Sequence, residues 1–336
     1  KAARAGIHRI SLTEARRRGL LEEIDPAPVY RDHVAKLVDL PTIRNSGLRI
    51  VVDAMFGAGA GYIPALLTGG ATSVVELNGQ RNPIFPGIHN PEPVAHNLKQ
   101  LGEAVASDGA AVGLALDGDA DRLGVVDERG NFLTPLQVFP LLALYLLEVR
   151  KERGALVKSV TTSRMIDRLG ELYGVPVLET PVGFKYIAPL MMEKNALAGG
   201  EESGGYGFRG HIPERDGVLS GLFFLDLMVK LGKSPSELLQ YLYGKVGPHC
   251  YARRDVSFAP EQRPAIEQKI AGLQPREVAG LHVEQQDRSD GLRLVLDGGA
   301  WLIMRFSGTE PLLRVYAEAA SAQQVERLLD WAQQML

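Results

Sequence analysis

The stretch from Leu114 to Val126 limits the possible folds more than any other part of the sequence. It reads Leu-Ala-Leu-Asp-Gly-Asp-Ala-Asp-Arg-Leu-Gly-Val-Val, so two apolar runs flank three acids at alternate positions. A short apolar run bounded by turn residues predicts a strand that is covered on both faces. Carboxylates that cluster at the end of such a strand repel one another unless a cation neutralises them. We therefore expect a layered α/β domain with a cation site at one edge of its sheet.

The three acids are Asp117, Asp119 and Asp121, and Arg122 follows them directly. Ligands that are all oxygen suit magnesium or calcium, and magnesium keeps open positions for water or for a phosphate oxygen. The guanidinium of Arg122 suits an anion at such a position. The sequence thus predicts a divalent cation next to an anionic ligand.

Two other kinds of protein carry alternating aspartates. An EF-hand loop that begins at Asp117 would need glycine at its sixth position, where Arg122 stands, and a helix before the loop rather than a strand. That interpretation is excluded. A phosphatase in which Asp117 or Asp119 is the nucleophile remains an alternative.

Composition excludes several classes of protein. The chain has 336 residues, of which 45% are hydrophobic and 23% charged, and a formal net charge of -3, so nothing indicates binding to nucleic acid. A single cysteine, Cys250, cannot form an intrachain disulfide, which fits a reducing compartment. The longest apolar stretch, Val138 to Leu147, is shorter than the roughly 20 residues that span a bilayer. We expect a cytoplasmic protein that binds neither nucleic acid nor membrane.

The order of apolar runs and helical patterns predicts three domains. Residues 1–133 and 134–247 each alternate strands with helices, which indicates two consecutive layered α/β domains with mixed sheets. Residues 248–336 contain short strands joined by hairpin signals, which predicts a smaller α+β domain. Before the first strand we expect helices, with a loop from Pro41 to Gly47. The glycines of 57–61 predict a tight structural turn, since the third comes one residue too early for a dinucleotide-binding pattern.

A glycine-rich loop in the second domain carries Glu201, Glu202 and Ser203. Carboxylates and hydroxyls that project from a flexible turn can hold the vicinal hydroxyls of a sugar, because each carboxylate accepts from two neighbouring O–H groups. An ordinary exposed loop would have the same composition. The residues alone leave both interpretations open.

The loop that begins at Arg305 in the third domain has the composition of a phosphate cradle. Ser307 lies on the same face of the extended segment, Gly308 lets backbone N–H groups turn outward, Thr309 adds a hydroxyl and Arg314 returns on the next strand. Two guanidiniums, two hydroxyls and bare backbone suit a phosphate. An ordinary hairpin corner is the alternative.

Three loops therefore stand in order: Asp-Gly-Asp-Ala-Asp-Arg, Gly-Glu-Glu-Ser-Gly-Gly and Arg-Phe-Ser-Gly-Thr-Glu-Pro. Together they closely resemble the loops of the α-D-phosphohexomutases, the phosphoglucomutase/phosphomannomutase family, and the similarity runs through essentially the whole chain. The resemblance implies an isomerase of carbohydrate metabolism that interconverts hexose 1-phosphate and hexose 6-phosphate. Such an enzyme is a phosphoprotein, because it works through a phosphoserine and a 1,6-bisphosphate intermediate.

The resemblance also implies a role for each loop. The aspartates would hold one Mg²⁺, Arg122 would face the transferred phosphoryl group, and the 180–185 loop would discriminate between sugars, with Lys185 as a phosphate or proton-transfer contact. The remaining positions would bind substrate: Glu201 and Ser203 the sugar hydroxyls, and Arg305, Ser307, Gly308, Thr309 and Arg314 the phosphate that is not reacting. Glucose 1,6-bisphosphate would be the activator.

The sequence departs from the family at one point, since it has no Thr-x-Ser-His-x-Pro loop with the phosphorylated serine. We expect this chain to be domains two to four, without the N-terminal serine-bearing domain, and to be inactive by itself. Glu202, where a glutamine would suggest glucosamine, favours glucose as the sugar, with mannose as a second candidate. A phosphatase and a non-catalytic sugar-phosphate-binding protein are the alternatives, and the protein could be a monomer or a dimer.

Overall fold

The computed structural model describes residues 9–307 and 310–336. Within them, strands and helices alternate through the first two thirds of the chain, and antiparallel strands dominate the last third. The strands are β1 (Arg49–Asp53), β2 (Ser73–Leu77), β3 (Val112–Leu116), β4 (Leu123–Val126), β5 (Phe132–Leu133), β6 (Leu156–Ser159), β7 (Val177–Thr180), β8 (Ala198–Gly200), β9 (Tyr206–Phe208), β10 (Cys250–Ser257), β11 (Glu277–Val278), β12 (Leu281–Asp287), β13 (Leu292–Leu296), β14 (Trp301–Phe306) and β15 (Leu312–Ala319).

The α-helices are α1 (Leu12–Arg17), α2 (Ala27–Leu37), α3 (Leu40–Arg44), α4 (Tyr62–Leu67), α5 (Lys99–Asp108), α6 (Pro135–Leu144), α7 (Met165–Tyr173), α8 (Phe184–Lys194), α9 (Gly217–Leu231), α10 (Pro235–Val246), α11 (Arg263–Gly272) and α12 (Ala322–Gln334), and a π-helical segment (Tyr145–Val149) continues α6. Among the described residues, no helix combines the length and the apolar character that crossing a membrane requires.

The first sheet has the strand order β2-β1-β3-β4-β5. Strand β1 runs parallel to β2 and β3, whereas β4 and β5 are antiparallel additions. All five residues of β3 are buried, because helices cover both faces of the sheet. The carboxyl end of β3 opens into the acidic loop, as the sequence predicts.

The second sheet has the order β7-β6-β8-β9, with only β9 antiparallel. Helix α9 packs on β3 and β4 of the first sheet and on β9 of the second, and twelve of its residues are buried. A helix that is apolar on all sides is expected at such a shared position. The two α/β layers therefore share one hydrophobic core.

The third sheet is antiparallel, with the order β10-β15-β14-β13-β12-β11, and α12 packs on β10 and β15. A small apolar cluster built on Val160, Trp301, Ile303 and Tyr316 joins this sheet to the second one. The fold class predicted from the sequence, two layered α/β units with mixed sheets followed by a smaller α+β unit, is confirmed.

The predicted loop from Pro41 to Gly47 is wrong in its first half, because α3 spans Leu40–Arg44. Proline in the first turn of a helix sacrifices no hydrogen bond, so Pro41 is compatible with a helix start. The side chain of Asp39 caps this helix by accepting from Thr42 N at 3.3 Å.

Candidate functional site

The acidic loop brings its three carboxylates together. One oxygen each of Asp117, Asp119 and Asp121 can be chosen so that all lie within 4.8 Å of one another. The loop turns because Ala120 adopts a left-handed φ of 64° and because Gly118 N donates to Pro91 O at 3.0 Å. This convergence is the arrangement that a hard divalent cation requires.

The electrostatics of this loop also fit a cation. Burial raises the pKa of Asp117 to about 7, to which the charges of Asp121 and Asp119 contribute, and burial raises the pKa of Asp121 as well. In the described part of the chain, the buried oxygen Oδ1 of Asp121 accepts no hydrogen bond. The donor set is therefore short of positive charge, which Mg²⁺ would supply.

The glycines of 57–61 support the acidic loop rather than a nucleotide. Ala58 N donates to Gly118 O at 3.0 Å, and a Cβ on Gly57 would lie 2.6 Å from that same carbonyl oxygen. The backbone of this turn thus lies directly against the backbone of the acidic loop. This agrees with the structural turn predicted from the sequence.

Arg122 contacts both the acidic loop and Glu92. Its backbone N–H donates to Asp117 Oδ1 at 3.0 Å, its Nε lies 3.4 Å from Asp117 Oδ2, and its Nη1 donates to Glu92 Oε1 at 3.1 Å. Glu92 was not among the predicted site residues, since it follows a proline-rich loop with no distinguishing pattern. The contacts with Asp117 and Glu92 hold the Arg122 guanidinium beside the predicted cation site.

The glycine-rich loop between β8 and β9 aims its acids in two directions. Glu201 is 6% exposed, and burial raises its pKa. Ser203 Oγ is also buried, without a hydrogen-bond partner among the described residues. Glu202 instead accepts from Tyr251 Oη at 3.1 Å and from Arg253 Nη1 at 3.4 Å, both on β10. In the described part of the chain, Ser203 Oγ therefore lacks a partner, whereas the Glu202 carboxylate is already engaged by β10.

Arg215 connects the two loops and was not predicted. Its guanidinium pairs with Asp121 of the acidic loop and lies 3.4 Å from Glu201 of the glycine-rich loop. The backbones are joined as well, since Leu123 N donates to Gly204 O at 2.9 Å. Arg215 stands in a polar segment before an apolar helix, and only the three-dimensional structure reveals its two carboxylate partners.

The predicted phosphate loop begins where β14 ends. Arg305 Nε donates to Asp290 Oδ1 at 2.7 Å, and Arg314 lies opposite Arg305 in the strand register. Arg314 Nη2 in turn donates to Glu310 Oε2 at 3.2 Å, so each of the two guanidiniums has a carboxylate partner. Ser307 is buried, whereas the predicted residues Gly308 and Thr309 lie outside the residues that the structure describes.

A chain of contacts leads from this loop to Glu201. Asp290 Oδ2 accepts from Val182 N at 2.9 Å, and the backbone N–H of the neighbouring Gly183 stabilises the Glu201 carboxylate. Lys185 follows on the exposed first turn of α8, where its Nζ lies 5.0 Å from the centroid of the Tyr186 ring. In the described part of the chain, Lys185 forms no ion pair with the other loops.

Glu202 gives a first testable prediction. In Glu202→Ala the partly buried phenol of Tyr251 loses its acceptor, which is expected to lower the free energy of unfolding by about 1 kcal/mol. In Glu202→Gln an oxygen remains to accept from Tyr251, so most of that loss should be recovered. Urea unfolding measures both, and equal stability of Glu202→Ala and the unmodified chain would contradict the contact.

Comparison with known proteins identifies the family. Residues 28–130 match the phosphoglucomutase/phosphomannomutase alpha/beta/alpha domain II, residues 134–246 match alpha/beta/alpha domain III, and residues 260–331 match the C-terminal domain. These matches cover most of the chain. They include the acidic loop and the glycine-rich loop in full.

Two curated relatives are similar along nearly all of the chain. A phosphoglucomutase/phosphomannomutase of Thermococcus kodakarensis is 34% identical over 93% of this chain, and a probable phosphoglucosamine mutase of Methanopyrus kandleri is 33% identical over 92%. The chain spans 66% of the length of each, which is slightly under two thirds.

Solved structures show the same fold. A structure from Thermus thermophilus is 34% identical, with a TM-score of 0.80 over 94% of this chain and 66% of that one. A phosphoglucomutase/phosphomannomutase family protein of Burkholderia thailandensis is 23% identical, with a TM-score of 0.79 over 97% of this chain and 68% of that one. The resemblance of the three loops is thereby confirmed, and the chain belongs to the phosphoglucomutase/phosphomannomutase family.

Proposed function

We propose that the protein transfers a phosphoryl group between positions 1 and 6 of a hexose phosphate, with glucose as the sugar and mannose as a second candidate. The observation that carries this proposal is the double contact of Arg215, which pairs with Asp121 of the acidic loop and with Glu201 of the glycine-rich loop. A cation site and a sugar site that share one arginine can act on a single ligand. The contact between Val182 and Asp290 extends the same surface to the phosphate loop.

Each loop then has its own role in the proposed reaction. The three aspartates would hold Mg²⁺, which supplies charge neutralisation at the phosphoryl oxygens. Arg122 faces the transferred phosphoryl group, and Glu201 and Ser203 orient the sugar through its hydroxyls. The phosphate that does not react lies on Arg305, Ser307 and Arg314. Lys185 is proposed as a phosphate or proton-transfer contact, which requires its side chain to leave the Tyr186 ring.

A phosphoserine is the proposed phosphoryl carrier, and glucose 1,6-bisphosphate the intermediate and activator. Because the sequence contains no Thr-x-Ser-His-x-Pro loop, the proposal requires a serine from outside these 336 residues. The intact mass of the protein from its native source tests this requirement. A species longer by about one domain, on the usual scale of ~100–150 residues, and phosphorylated on serine would meet it.

The choice of sugar is tested by comparing the affinities of two sugar phosphates. Curated relatives carry both phosphoglucomutase/phosphomannomutase and phosphoglucosamine mutase names, and Glu202 contacts β10 through Tyr251 and Arg253. We propose glucose over glucosamine. Calorimetric titration with Mg²⁺ present should give tighter binding for glucose 1-phosphate than for glucosamine 1-phosphate, and the reverse order would overturn the choice of sugar.

The reaction class is tested with the same material. Glucose 1-phosphate and glucose 6-phosphate should compete for one site, and the 336-residue chain with glucose 1,6-bisphosphate should show no turnover until a serine-bearing segment is supplied. If neither sugar phosphate binds, the proposal fails. Release of inorganic phosphate, with an acyl phosphate trapped on Asp117 or Asp119, would instead establish the phosphatase. Binding without turnover in the complete native protein would favour the non-catalytic alternative.

A further inference from the structure

A partly buried polar network lies behind the acidic loop and takes no part in the proposed chemistry. It consists of Tyr30 and His33 on α2, His211 in the segment before α9, and Asp216 at the N-cap of α9. We call these four residues the Tyr30 network. The two residues on α2 are three positions apart, so their side chains share one face of that helix.

Asp216 is the centre of the network. This residue is 7% exposed, and its carboxylate accepts from Tyr30 Oη at 2.9 and 2.8 Å and from Leu219 N at 2.8 Å. His211 Nε2 lies 2.9 Å from the same carboxylate, and His211 Nδ1 lies 3.0 Å from His33 Nε2. Burial, followed by the charge of Asp216, raises the pKa of Tyr30, so the phenol donates as a neutral group.

The residues on both sides of Asp216 belong to the site. Arg215 pairs with Asp121 and Glu201, and Gly217 N donates to Ala120 O of the acidic loop at 2.9 Å. A Cβ on Gly217 would lie 2.4 Å from Arg122 O, so the two backbones are in direct contact. The position of the Asp216 carboxylate therefore sets where the 215–217 segment meets the acidic loop and the glycine-rich loop.

We propose that Tyr30 is a positioning residue of the metal site, which acts by fixing Asp216 and, through it, Arg215 and Gly217. Helix α2 thereby pre-forms the acidic loop from a part of the chain that contributes no ligand. Groups that orient metal ligands through such indirect contacts tune affinity, because a ligand set that is not held in place must be ordered on binding. This inference rests on the proposed function only in taking Asp117, Asp119 and Asp121 as the metal ligands.

The test is Mn²⁺ binding followed by electron paramagnetic resonance, at a temperature far below thermal unfolding. Tyr30→Phe keeps the ring but removes one donor to a buried carboxylate, so we expect Mn²⁺ to bind about fivefold more weakly, with a broadened spectrum of the bound ion. Tyr62→Phe is the matched control. Its ring packs edge-on against Tyr30 at 5.3 Å, but in the part of the chain that the structure describes it makes no hydrogen bond to Asp216, so its Mn²⁺ affinity should be unchanged.

A folded Tyr30→Phe with unchanged Mn²⁺ affinity and spectrum would overturn the inference, whatever its melting temperature. If that variant does not fold, Asp216→Ser replaces it, because the serine hydroxyl can still cap α9 while the shorter side chain withdraws the acceptor from the phenol, and unchanged Mn²⁺ binding there would overturn the inference equally. Failure of the unmodified chain to bind Mn²⁺ is a different result, since it would remove the metal site of the proposed function itself.

Discussion

Asp117→Asn is expected to reduce Mg²⁺ affinity by more than about 100-fold, since even changes outside the direct ligand set cost about 10–100-fold in metal affinity. Asp117 is the most buried of the three aspartates, and its Oδ1 is already held by Arg122 N at 3.0 Å. An asparagine keeps the size of the side chain but supplies no negative charge to the ion. Isothermal calorimetry with Mg²⁺, repeated with Mn²⁺, measures the loss.

The same variant should not be less stable without metal. Because burial raises the pKa of Asp117 from 3.8 to about 7, the folded state binds its proton more tightly than the unfolded state does. The charged carboxylate therefore lowers the free energy of unfolding. This penalty is absent below about pH 4 and complete above about pH 7. At about pH 8 the neutral asparagine avoids this cost, so the melting temperature of metal-free Asp117→Asn should equal or exceed that of the unmodified chain.

Proton release gives the matching pH dependence. Mg²⁺ must displace the proton of Asp117, so the Mg²⁺ affinity of the unmodified chain should rise between about pH 6 and pH 8 and then level off. Asp108→Asn, at the exposed end of α5, is the control and should leave both affinity and pH profile unchanged. Full Mg²⁺ affinity in Asp117→Asn would show that the ion lies elsewhere and that the carboxylate has another role.

Local sequence patterns were sufficient to predict the fold class and the acidic loop. The apolar run before Asp117 has the pattern of a covered strand, and acids at alternate positions after such a strand meet at the edge of the sheet. The second unit was recognisable for the same reason, and the third from strands joined by hairpin signals. Helix α3 was missed, because Pro41 resembles a loop residue but lies in a first helical turn.

The contacts that unite the loops could not be predicted from local patterns. Arg215 is 94 residues from Asp121 along the chain, and Tyr30 and Asp216 are 186 residues apart, so only the packing of α9 between two sheets brings each pair together. Glu202 shows the opposite case. Its sequence neighbours suggest a sugar contact, but the folded chain places β10 beside it and Tyr251 and Arg253 occupy its carboxylate.

Gly57→Ala is expected to disturb both stability and metal binding, because no space exists for a side chain at this turn. A Cβ there would lie 2.6 Å from Gly118 O and 2.9 Å from Asp117 O, and both are backbone atoms that cannot move aside like the end of a side chain. Forcing atoms into a packed region costs about 1–3 kcal/mol of unfolding free energy. The displaced backbone is that of the acidic loop, so Mg²⁺ affinity should fall in the same variant.

Gly244→Ala is the matched control for this substitution. Gly244 lies inside α10, and a Cβ there would meet nothing within 4 Å. Alanine in a helix is better than glycine by about 1 kcal/mol, so this variant should be slightly more stable than the unmodified chain and bind Mg²⁺ equally well. Urea unfolding and Mg²⁺ titration of the two variants separate steric contact from the general effect of replacing glycine. If Gly57→Ala retained both stability and Mg²⁺ affinity, the 57–61 turn would not support the acidic loop, and its glycines would need another explanation.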